Sequence, residues 1–456
     1  MRTTMERKKM RKTTEQYLYT ALLAILILIM VVVANAHAEG PELPQLLGAQ
    51  YTLIAQHLFP FPAAYSGPNS LRDDGDTQKT QTFGLYSGMK VWDQLQAYFD
   101  LELFRGAAVS NATGLGGLTN GDVVRQGAFN MGKRPYVARA YLRYFWAMGD
   151  DTVEVARGTD QLSGTEPSKR IEIKLGKFAA NDDFDRNRYA NSTRTQFQNW
   201  SLWNNTAWDF AADTRGYTNG IMAGYVSPKW ALKLGIFQMP TIANGPDLDL
   251  PLTKSRGENL EFTLQPNHYG TVVRLLAYRN IASMGIYRDA TAIGLVQGTV
   301  PNVAADDQPG RRKYGFGLNL EQPLADGGET GLFARLGWND GKTESFAFTE
   351  VDRTVTFGAQ VAGNHWRRNN DQLGIGFVVN ELSADHRNYL AAGGSGFVLG
   401  DGALNYGYEK IVEAYYCIQL VKYAQLSPDF QYIENPGYNR DRGPAKVISL
   451  RLRLNY

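Results

Sequence analysis

The sequence contains one cysteine, Cys417, and five histidines. A single thiol excludes an internal disulfide. The four histidines after residue 38 are widely spaced: His57, His268, His365 and His386. Their spacing indicates neither a zinc cluster nor a Cys/His catalytic pair. We therefore predict no metal site and no cofactor, and we expect that the protein is not an enzyme.

Long apolar runs are missing, apart from one near the N-terminus. Residues 21–34 form an uncharged apolar run, which is shorter than the ~20 residues that a membrane helix needs. It precedes Ala36-His37-Ala38, which matches an A-x-A cleavage site. The basic residues before it are Arg2, Arg7, Lys8, Lys9, Arg11 and Lys12. We predict that residues 1–38 are a cleaved signal peptide, with an uncleaved anchor as the alternative. Residues 39–456 contain no stretch long enough for a membrane helix.

The chain has no excess of basic residues once this leader is set aside. The full chain has a formal net charge of +2, and the leader carries six basic and two acidic side chains. The remainder therefore has a net charge of −2, which indicates no nucleic-acid partner. No Pro-rich spacer, Gly/Ser tract or charge run divides residues 39–456, so we predict one domain. An exported chain without disulfides needs another source of stability, such as a large closed sheet.

Period-2 alternation is the main pattern in the chain. In residues 93–105 (DQLQAYFDLELFR), apolar side chains alternate with polar ones such as Asp100 and Glu102. In residues 136–146, Tyr136, Ala138 and the later even-numbered positions are predicted to face one way, and Arg139, Tyr141 and Arg143 the other. Residues 448–456 alternate in the same manner. Such segments are strands with one apolar and one wet face.

We count about sixteen such strands, near 49–58, 80–91, 94–104, 136–147, 170–178, 217–226, 230–239, 258–265, 270–281, 312–321, 330–339, 353–361, 371–380, 409–421, 428–434 and 445–456. A soluble β-sandwich also alternates, but strands of ~10 residues joined by long loops favour an outer-membrane barrel. The predicted fold class is therefore an all-β, transmembrane, antiparallel β-barrel. Its outer face is expected to contact outer-membrane lipid.

The connections support this count because short and long ones alternate, as periplasmic turns and external loops do. The predicted short turns are Trp92-Asp93, Ser227-Pro228-Lys229, Pro266-Asn267-His268-Tyr269 and Leu426-Ser427-Pro428. The long connections lie near 59–79, 105–135, 179–216, 240–257, 282–311 and 381–408. The exception is 148–169, which should be a short turn but exceeds twenty residues. A short hairpin there or a miscounted strand are the alternatives.

Residues 179–215 stand out among the loops. They contain five Asp, four Arg, six Asn and three of the eight Trp. A connection this long is usually functional or disordered, and this one is too aromatic to be disordered. We predict a loop that follows the fifth strand and folds inward as a constriction.

Several segments resemble the carbohydrate-selective porin family (OprB type) of Gram-negative outer membranes. They are YTLIAQHLFPFPAAYSGPNSL at 51–71, LGKFAANDDFDRNRYANSTRTQFQNWSL at 175–202, AWDFAADTRGYTNG at 207–220, WALKLGIFQMP at 230–240, RLLAYRNIASMGIY at 274–287 and PDFQYIENPGYNRDRGP at 428–444. The resemblance covers nearly all of residues 39–456 and implies a porin for sugars or similar neutral polar solutes. Such barrels often end in Phe, which helps the outer-membrane assembly machinery recognise the last strand. This chain ends in Tyr456, which keeps an aromatic terminus.

A sugar offers hydroxyls at its rim and CH groups on its faces, so its site needs charged hydrogen-bonding groups and aromatic surfaces. The predicted constriction and sugar-binding residues are Asp182, Asp183, Asp185, Arg186, Asn187, Arg188, Trp200, Trp203, Trp208, Asp209 and Arg215. The predicted pore-lining residues on strands are Arg139, Arg143, Glu172, Lys174, Arg274, Arg451 and Arg453. The alternative is that the tryptophans fix the loop to the wall and that the charges pair with one another.

Asp183, Asp185 and Asn187 imitate the start of an EF-hand loop. Arg188 and Arg194 occupy the positions that need Gly and Glu, so an EF-hand is rejected. A looser calcium site stays open.

The predicted function is passive, weakly selective diffusion of mono- or oligosaccharides into the periplasm. The alternatives are a general diffusion porin for small polar solutes and a non-conducting surface receptor barrel. A catalytic barrel is disfavoured because neither His365 nor His386 lies near a nucleophile motif. The apolar strand faces are compatible with a monomer or with a homotrimer.

Overall fold

The computed structural model describes residues 45–122, 134–266 and 270–456. The predicted signal peptide and its cleavage site lie outside the described residues, as do His268 and most of the predicted turn at 266–269.

The described part of the chain contains eighteen strands, of which sixteen form one closed barrel. The barrel strands are β1 Leu46–Leu58, β2 Asp76–Trp92, β3 Leu95–Gly106, β4 Tyr136–Ala147, β7 Arg170–Phe178, β8 Thr218–Val226, β9 Trp230–Phe237, β10 Arg256–Leu264, β11 Val272–Met284, β12 Gln308–Ala325, β13 Thr330–Asn339, β14 Arg353–Ala362, β15 Gln372–Glu381, β16 Glu409–Val421, β17 Ala424–Glu434 and β18 Ala445–Asn455. The other two, β5 Thr152–Val155 and β6 Gly164–Pro167, form a separate hairpin. The predicted number of sixteen barrel strands is confirmed.

Closure joins the two ends of the sheet. β1 pairs with β18 in antiparallel register from Gln50 opposite Asn455 to Leu58 opposite Val447. Every other barrel strand pairs with its neighbours in the ring. A closed ring leaves no strand edge unpaired, which hydrocarbon would not tolerate.

The barrel has an apolar outer face and a polar interior. On β18, Ile448 and Leu450 are exposed while Val447, Ser449 and Arg451 are buried, as the alternation predicted. Exposed aromatic side chains lie at the end with the short turns, for example Trp92, Trp146 and Tyr456. Such a girdle is typical of outer-membrane barrels.

The start of β4 differs from the prediction. The register shifts between Asp100 opposite Arg139 and Leu101 opposite Val137, so Ala138 is an extra residue. This β-bulge reverses the sides of the sheet to which the residues before Ala138 point. Tyr136, predicted to face lipid, instead donates from its hydroxyl to Glu102 inside the barrel, and Ala138 is fully buried.

The predicted short turn at Leu426-Ser427-Pro428 is wrong. β16 ends at Val421 and β17 begins at Ala424, so Lys422 and Tyr423 form the turn. Pro428 lies inside β17, opposite Leu450 of β18. On its other side the ladder to β16 is interrupted between Asp429 and Leu426, which accommodates a residue without a backbone N–H.

Most predicted long loops lie within a few residues of the observed ones, and they carry the three α-helices. The α-helices are α1 Trp200–Trp203, α2 Tyr287–Gln297 and α3 Ala384–Ala391. The 3-10 helices are Val109–Ala112, Ala180–Asp182, Val303–Asp306, Asp326–Gly328, Gly363–Trp366 and Pro436–Tyr438. Within the described ranges, no helix is long and apolar enough to cross a membrane.

The long connection between β4 and β7 contains the β5–β6 hairpin, paired from Thr152 opposite Pro167 to Val155 opposite Gly164. The unexpectedly long connection at 148–169 therefore contains a short hairpin, and the number of barrel strands stays at sixteen.

Candidate pore and solute-binding site

Residues 179–217, here called the lumen loop, connect β7 to β8 and run through the inside of the barrel. Ser201 of α1 accepts a hydrogen bond on its carbonyl from Thr356 of β14 at 3.0 Å. Its hydroxyl accepts another from Asn380 of β15, also at 3.0 Å. β15 lies eight positions from β7 in either direction round the sixteen-strand ring. The loop therefore reaches the wall opposite its own origin.

Long polar side chains on the late strands hold the backbone of the lumen loop. Glu413 of β16 accepts from the amides of Gln198 and Asn199. Arg451 of β18 donates to the carbonyls of Thr193 and Gln196 at 2.7 and 2.6 Å. These contacts satisfy backbone groups that the loop cannot pair internally.

Asp185 is the central anchor of the loop. Its carboxylate accepts from the Asn205 amide at 2.9 Å and from Asn319 Nδ2 of β12 at 2.7 Å. It also lies 2.9 Å from Arg335 Nε of β13, with both side chains buried. Asn187 donates to Asn319 at 2.7 Å. The carboxylate of Asp185 is thus fully engaged in holding the loop.

Asp182 and Asp183, just after β7, pair with wall cations. Arg139 of β4 donates to both oxygens of Asp182, at 2.7 and 2.6 Å. Burial raises the pKa of Asp182, but the adjacent Arg139 guanidinium outweighs it and holds that pKa below its ordinary value. Lys174 of β7 lies 3.0 Å from Asp183. Asp183 and Asp185 therefore face different cations and do not converge on one site.

Four aromatic side chains form what we call the aromatic shelf: Trp200, Trp203, Phe210 and Phe348. The ring of Trp200 lies 4.9 Å from that of Phe348, at an angle of 28°, and 4.6 Å from that of Trp203. Phe210 continues the set at 5.1 Å from Phe348. All four side chains are largely buried, and all four border one cavity.

Trp208 and Asp209 have a different environment from the shelf. Trp208 lines neither of the cavities described below, and its indole nitrogen donates to Asn259 of β10 at 3.0 Å. Asp209 accepts from the amides of Phe346 and Ala347 at 2.9 and 2.7 Å. Both residues join the lumen loop to other parts of the protein.

Two cavities lie along the inside of the barrel. The outer cavity, of about 360 Å³, extends from the aromatic shelf along β1 to β4. The inner cavity, of about 470 Å³, lies towards the short-turn ends of β4 and β7 to β11. Four residues line both: Arg139, Asp160, Asp182 and Arg186. They mark the junction between the cavities.

The predicted site residues divide into those that line a cavity and those that do not. The lining residues are Arg139, Arg143, Glu172, Lys174, Asp182, Asp183, Arg186, Trp200, Trp203, Arg215, Arg274 and Arg453. The residues that line neither cavity are Asp185, Asn187, Arg188, Trp208, Asp209 and Arg451. Arg188 donates to the carbonyl of Gly328 at 3.3 Å.

A charged cluster around Arg194 was missed from the predicted site. Arg194 lies 2.7 Å from Glu102 of β3 and 3.1 Å from Asp122. Tyr217 donates to the other oxygen of Glu102 at 2.6 Å. Arg194, Asp122 and Tyr217 all line the outer cavity. The polar side of β3 was visible in the alternation, but nothing local in the sequence connects Glu102 with Arg194.

The sixteen-strand antiparallel barrel with an internal loop defines a porin of the outer membrane of Gram-negative bacteria. A family model described as the carbohydrate-selective porin, OprB family, matches residues 68–456. The chain therefore belongs to this family, and it is a channel for the passive diffusion of carbohydrates.

One solved structure shows the same fold. Pseudomonas putida OprB at high pH is similar with a TM-score of 0.67 and 16% identity, over 90% of this chain and 94% of that one. DcaP of Acinetobacter baumannii has 10% identity and a TM-score of 0.48, over 90% and 96% of the two chains. Salmonella typhi OmpF in complex with daunomycin has 11% identity and a TM-score of 0.46, over 90% and 97%. No curated protein sequence matches this chain.

Proposed function

We propose that the lumen loop is the constriction of this porin and that sugars pass along the two cavities, binding weakly against the loop. The observation that carries the proposal is the aromatic shelf, which shares the outer cavity with Arg186, Arg194 and Arg215. Aromatic faces contact the CH groups of a sugar ring, and guanidinium groups donate to its hydroxyls. A sugar-binding site needs both aromatic faces and hydrogen-bond donors, and here they line the same cavity.

Arg186 is the residue best placed to touch a solute. It is exposed, and its guanidinium donates to the backbone carbonyl of Asp182 at 3.0 Å. The Asp182 carboxylate is occupied by Arg139. The Arg186 guanidinium has five N–H donors in all, so donors are left for a passing hydroxyl.

The charges along the path support passage without capture of ions. Arg139, Arg143, Lys174, Arg194 and Arg274 all have carboxylate partners within 3.2 Å. Paired charges orient water and polar solutes while attracting free ions less than isolated charges would. Weak, reversible binding of neutral mono- or oligosaccharides follows, with no covalent step.

We further propose that the last strand is the part recognised during assembly in the outer membrane. Tyr456 is exposed at the end of the barrel, with its ring 5.8 Å from that of Tyr423. The continuous apolar outer face is compatible with a monomer or a homotrimer.

The test is sugar block of ion current through the purified protein in planar bilayers. We expect Arg186→Ala and Trp200→Ala to weaken the block while an open pore remains. Arg312→Ala and Trp146→Ala are matched controls, because both side chains are exposed and line neither cavity. A protein that forms no channel would overturn the porin assignment. An unaltered block in Arg186→Ala and Trp200→Ala would overturn the binding role of the lumen loop.

A further inference from the structure

The β5–β6 hairpin, residues 148–169, does not project away from the barrel. Gly48 of β1 is buried on the lumen side, next to the hairpin tip. A Cβ added to Gly48 would lie 1.8 Å from the carbonyl oxygen of Thr159. Arg157 also donates to the carbonyl of Leu47 at 2.8 Å. The hairpin tip is therefore in van der Waals contact with the inner wall at β1.

Side chains fix the hairpin to two further strands. Leu162 is buried against Leu46 and Tyr98. Gln161 donates to the Tyr98 hydroxyl of β3 at 3.2 Å. Glu166 of β6 lies 2.6 Å from Arg143 of β4. Contacts with β1, β3 and β4 hold the hairpin in one position inside the mouth.

This position places the tip in the solute path. Thr159 and Asp160 line the outer cavity, and Asp160 and Gln161 line the inner one. The lumen loop enters from the end with the long loops, whereas the hairpin belongs to the end with the short turns. The junction between the cavities is thus bounded by two elements that come from opposite mouths.

Asp160 differs from the other carboxylates that line the cavities. Asp122, Glu172, Asp182 and Asp183 are all in ion pairs. Glu261 accepts from the amide of Asp185 at 2.7 Å. Asp160 is exposed, and it has no ion-pair or hydrogen-bond partner among the residues that the structure describes. Both oxygens are free to accept from a solute.

We propose that the β5–β6 hairpin is a second constriction and that Asp160 is a specificity-determining residue. Asp160 accepts hydrogen bonds from the hydroxyls of a polyhydroxylated solute at the junction where Arg186 donates them. Its free negative charge also disfavours anionic solutes and raises the preference for cations over anions. This inference rests on the proposed function, since it assumes that solutes pass the junction.

Three variants test it in planar bilayers. Met148 donates to the Lys169 carbonyl at 2.8 Å, so residues 149–168 can be replaced by an Asn-Gly turn that keeps the β4–β7 ladder. We expect this excision to raise the single-channel conductance. Gly48→Ala, which displaces Thr159, should raise it less. Asp160→Asn should lower the ratio of cation to anion permeability several-fold, the size expected of one unit charge next to the ion path, and should weaken sugar block.

Glu154→Gln is the matched control, because Glu154 is an exposed carboxylate of the same hairpin that lines neither cavity. The inference is overturned if Asp160→Asn shifts the permeability ratio no more than Glu154→Gln does. It is equally overturned if neither the excision nor Gly48→Ala changes the conductance. If the excised chain fails to fold, the conductance of Gly48→Ala and the permeability ratio of Asp160→Asn test the inference without it. A wild-type protein without any channel would refute the proposed function instead, so the two failures are distinguishable.

Discussion

Asp185 of the lumen loop and Arg335 of β13 form an ion pair of 2.9 Å in which the side chains are 4% and 0% exposed. Arg335 also donates to the carbonyls of Leu202 and Ala190, at 2.9 and 2.7 Å. One guanidinium therefore holds three separate points of the loop. Arg335 belongs to the wall, so it is a buried link between the loop and β13.

The first prediction concerns this pair. Arg335→Met leaves the Asp185 carboxylate buried without its cation, which typically costs about 3–5 kcal/mol. We expect a marked fall in the unfolding temperature of the protein in detergent. Arg353→Met is the control, because Arg353 pairs with Glu381 at the exposed surface, where an ion pair contributes only about 0–1 kcal/mol. Equal effects of the two substitutions would contradict the anchoring role of Arg335.

The second prediction separates two arginines of β18. Arg451 is 1% exposed and donates to loop carbonyls, whereas Arg453 lines the outer cavity. Arg451→Gln should lower the unfolding temperature because the Thr193 and Gln196 carbonyls lose a charged donor. Arg453→Gln should leave that temperature nearly unchanged but reduce the anion permeability of the channel. Thermal unfolding and reversal potentials measure the two effects, and a reversed pattern would contradict the assignment.

The third prediction distinguishes two tryptophans of the lumen loop. Trp208→Phe removes the donor to Asn259 and leaves a buried polar group unpaired, at a cost of about 1–3 kcal/mol. We expect reduced thermal stability with unchanged sugar block. Trp200→Phe, which keeps an aromatic ring on the shelf, should instead retain both stability and most of the block. Loss of sugar block in Trp208→Phe at a temperature where the barrel is folded would refute this division.

The fourth prediction concerns pH and the external loops. Burial, together with the neighbouring Asp307 carboxyl, raises the pKa of Glu344 to about 9. Glu344 accepts a hydrogen bond from the Gly285 amide at 2.9 Å, so it joins loops 340–352 and 285–307. Because the folded pKa lies above the ordinary value of 4.5, the stability of this loop contact is greatest below that value. It is lost as the pH rises through about 9, where the buried carboxyl ionises beside Asp307.

Hydrogen exchange of the Gly285 amide, corrected for its intrinsic pH dependence, measures this effect. Protection should fall between pH 6 and pH 9 in the wild-type protein. Glu344→Gln, which cannot ionise, should show much less change. The same loss of protection in both proteins would show that Glu344 is not the titrating group.

The strands were predictable because lipid and water impose opposite demands on alternate side chains, as Ile448 and Ser449 illustrate. The bulge at Ala138 was not predictable, because one extra residue changes the direction of the Tyr136 side chain without changing the composition of the segment. Pro428 misled the prediction because proline usually marks a turn, whereas the actual turn at Lys422-Tyr423 contains neither Gly nor Pro.

The site was predictable only in part. Arg186 and Trp200 belong to one unusual segment, so their presence near a solute path could be inferred from the segment alone. The groups that hold the segment, Arg335, Glu413 and Arg451, are more than a hundred residues away in sequence. Their positions follow from the register of a closed ring, which local patterns do not encode.

The lumen loop precedes eleven of the sixteen barrel strands in the chain, β8 to β18, and this order bears on biogenesis. Several of its backbone groups find partners on β14, β16 and β18, so those hydrogen bonds form only when these late strands are in place. Closing the wall and completing these hydrogen bonds are therefore linked. A barrel that closed around an empty interior would have to admit 39 residues through its outer mouth afterwards, so the order of the chain favours late strands that close around a loop already in place.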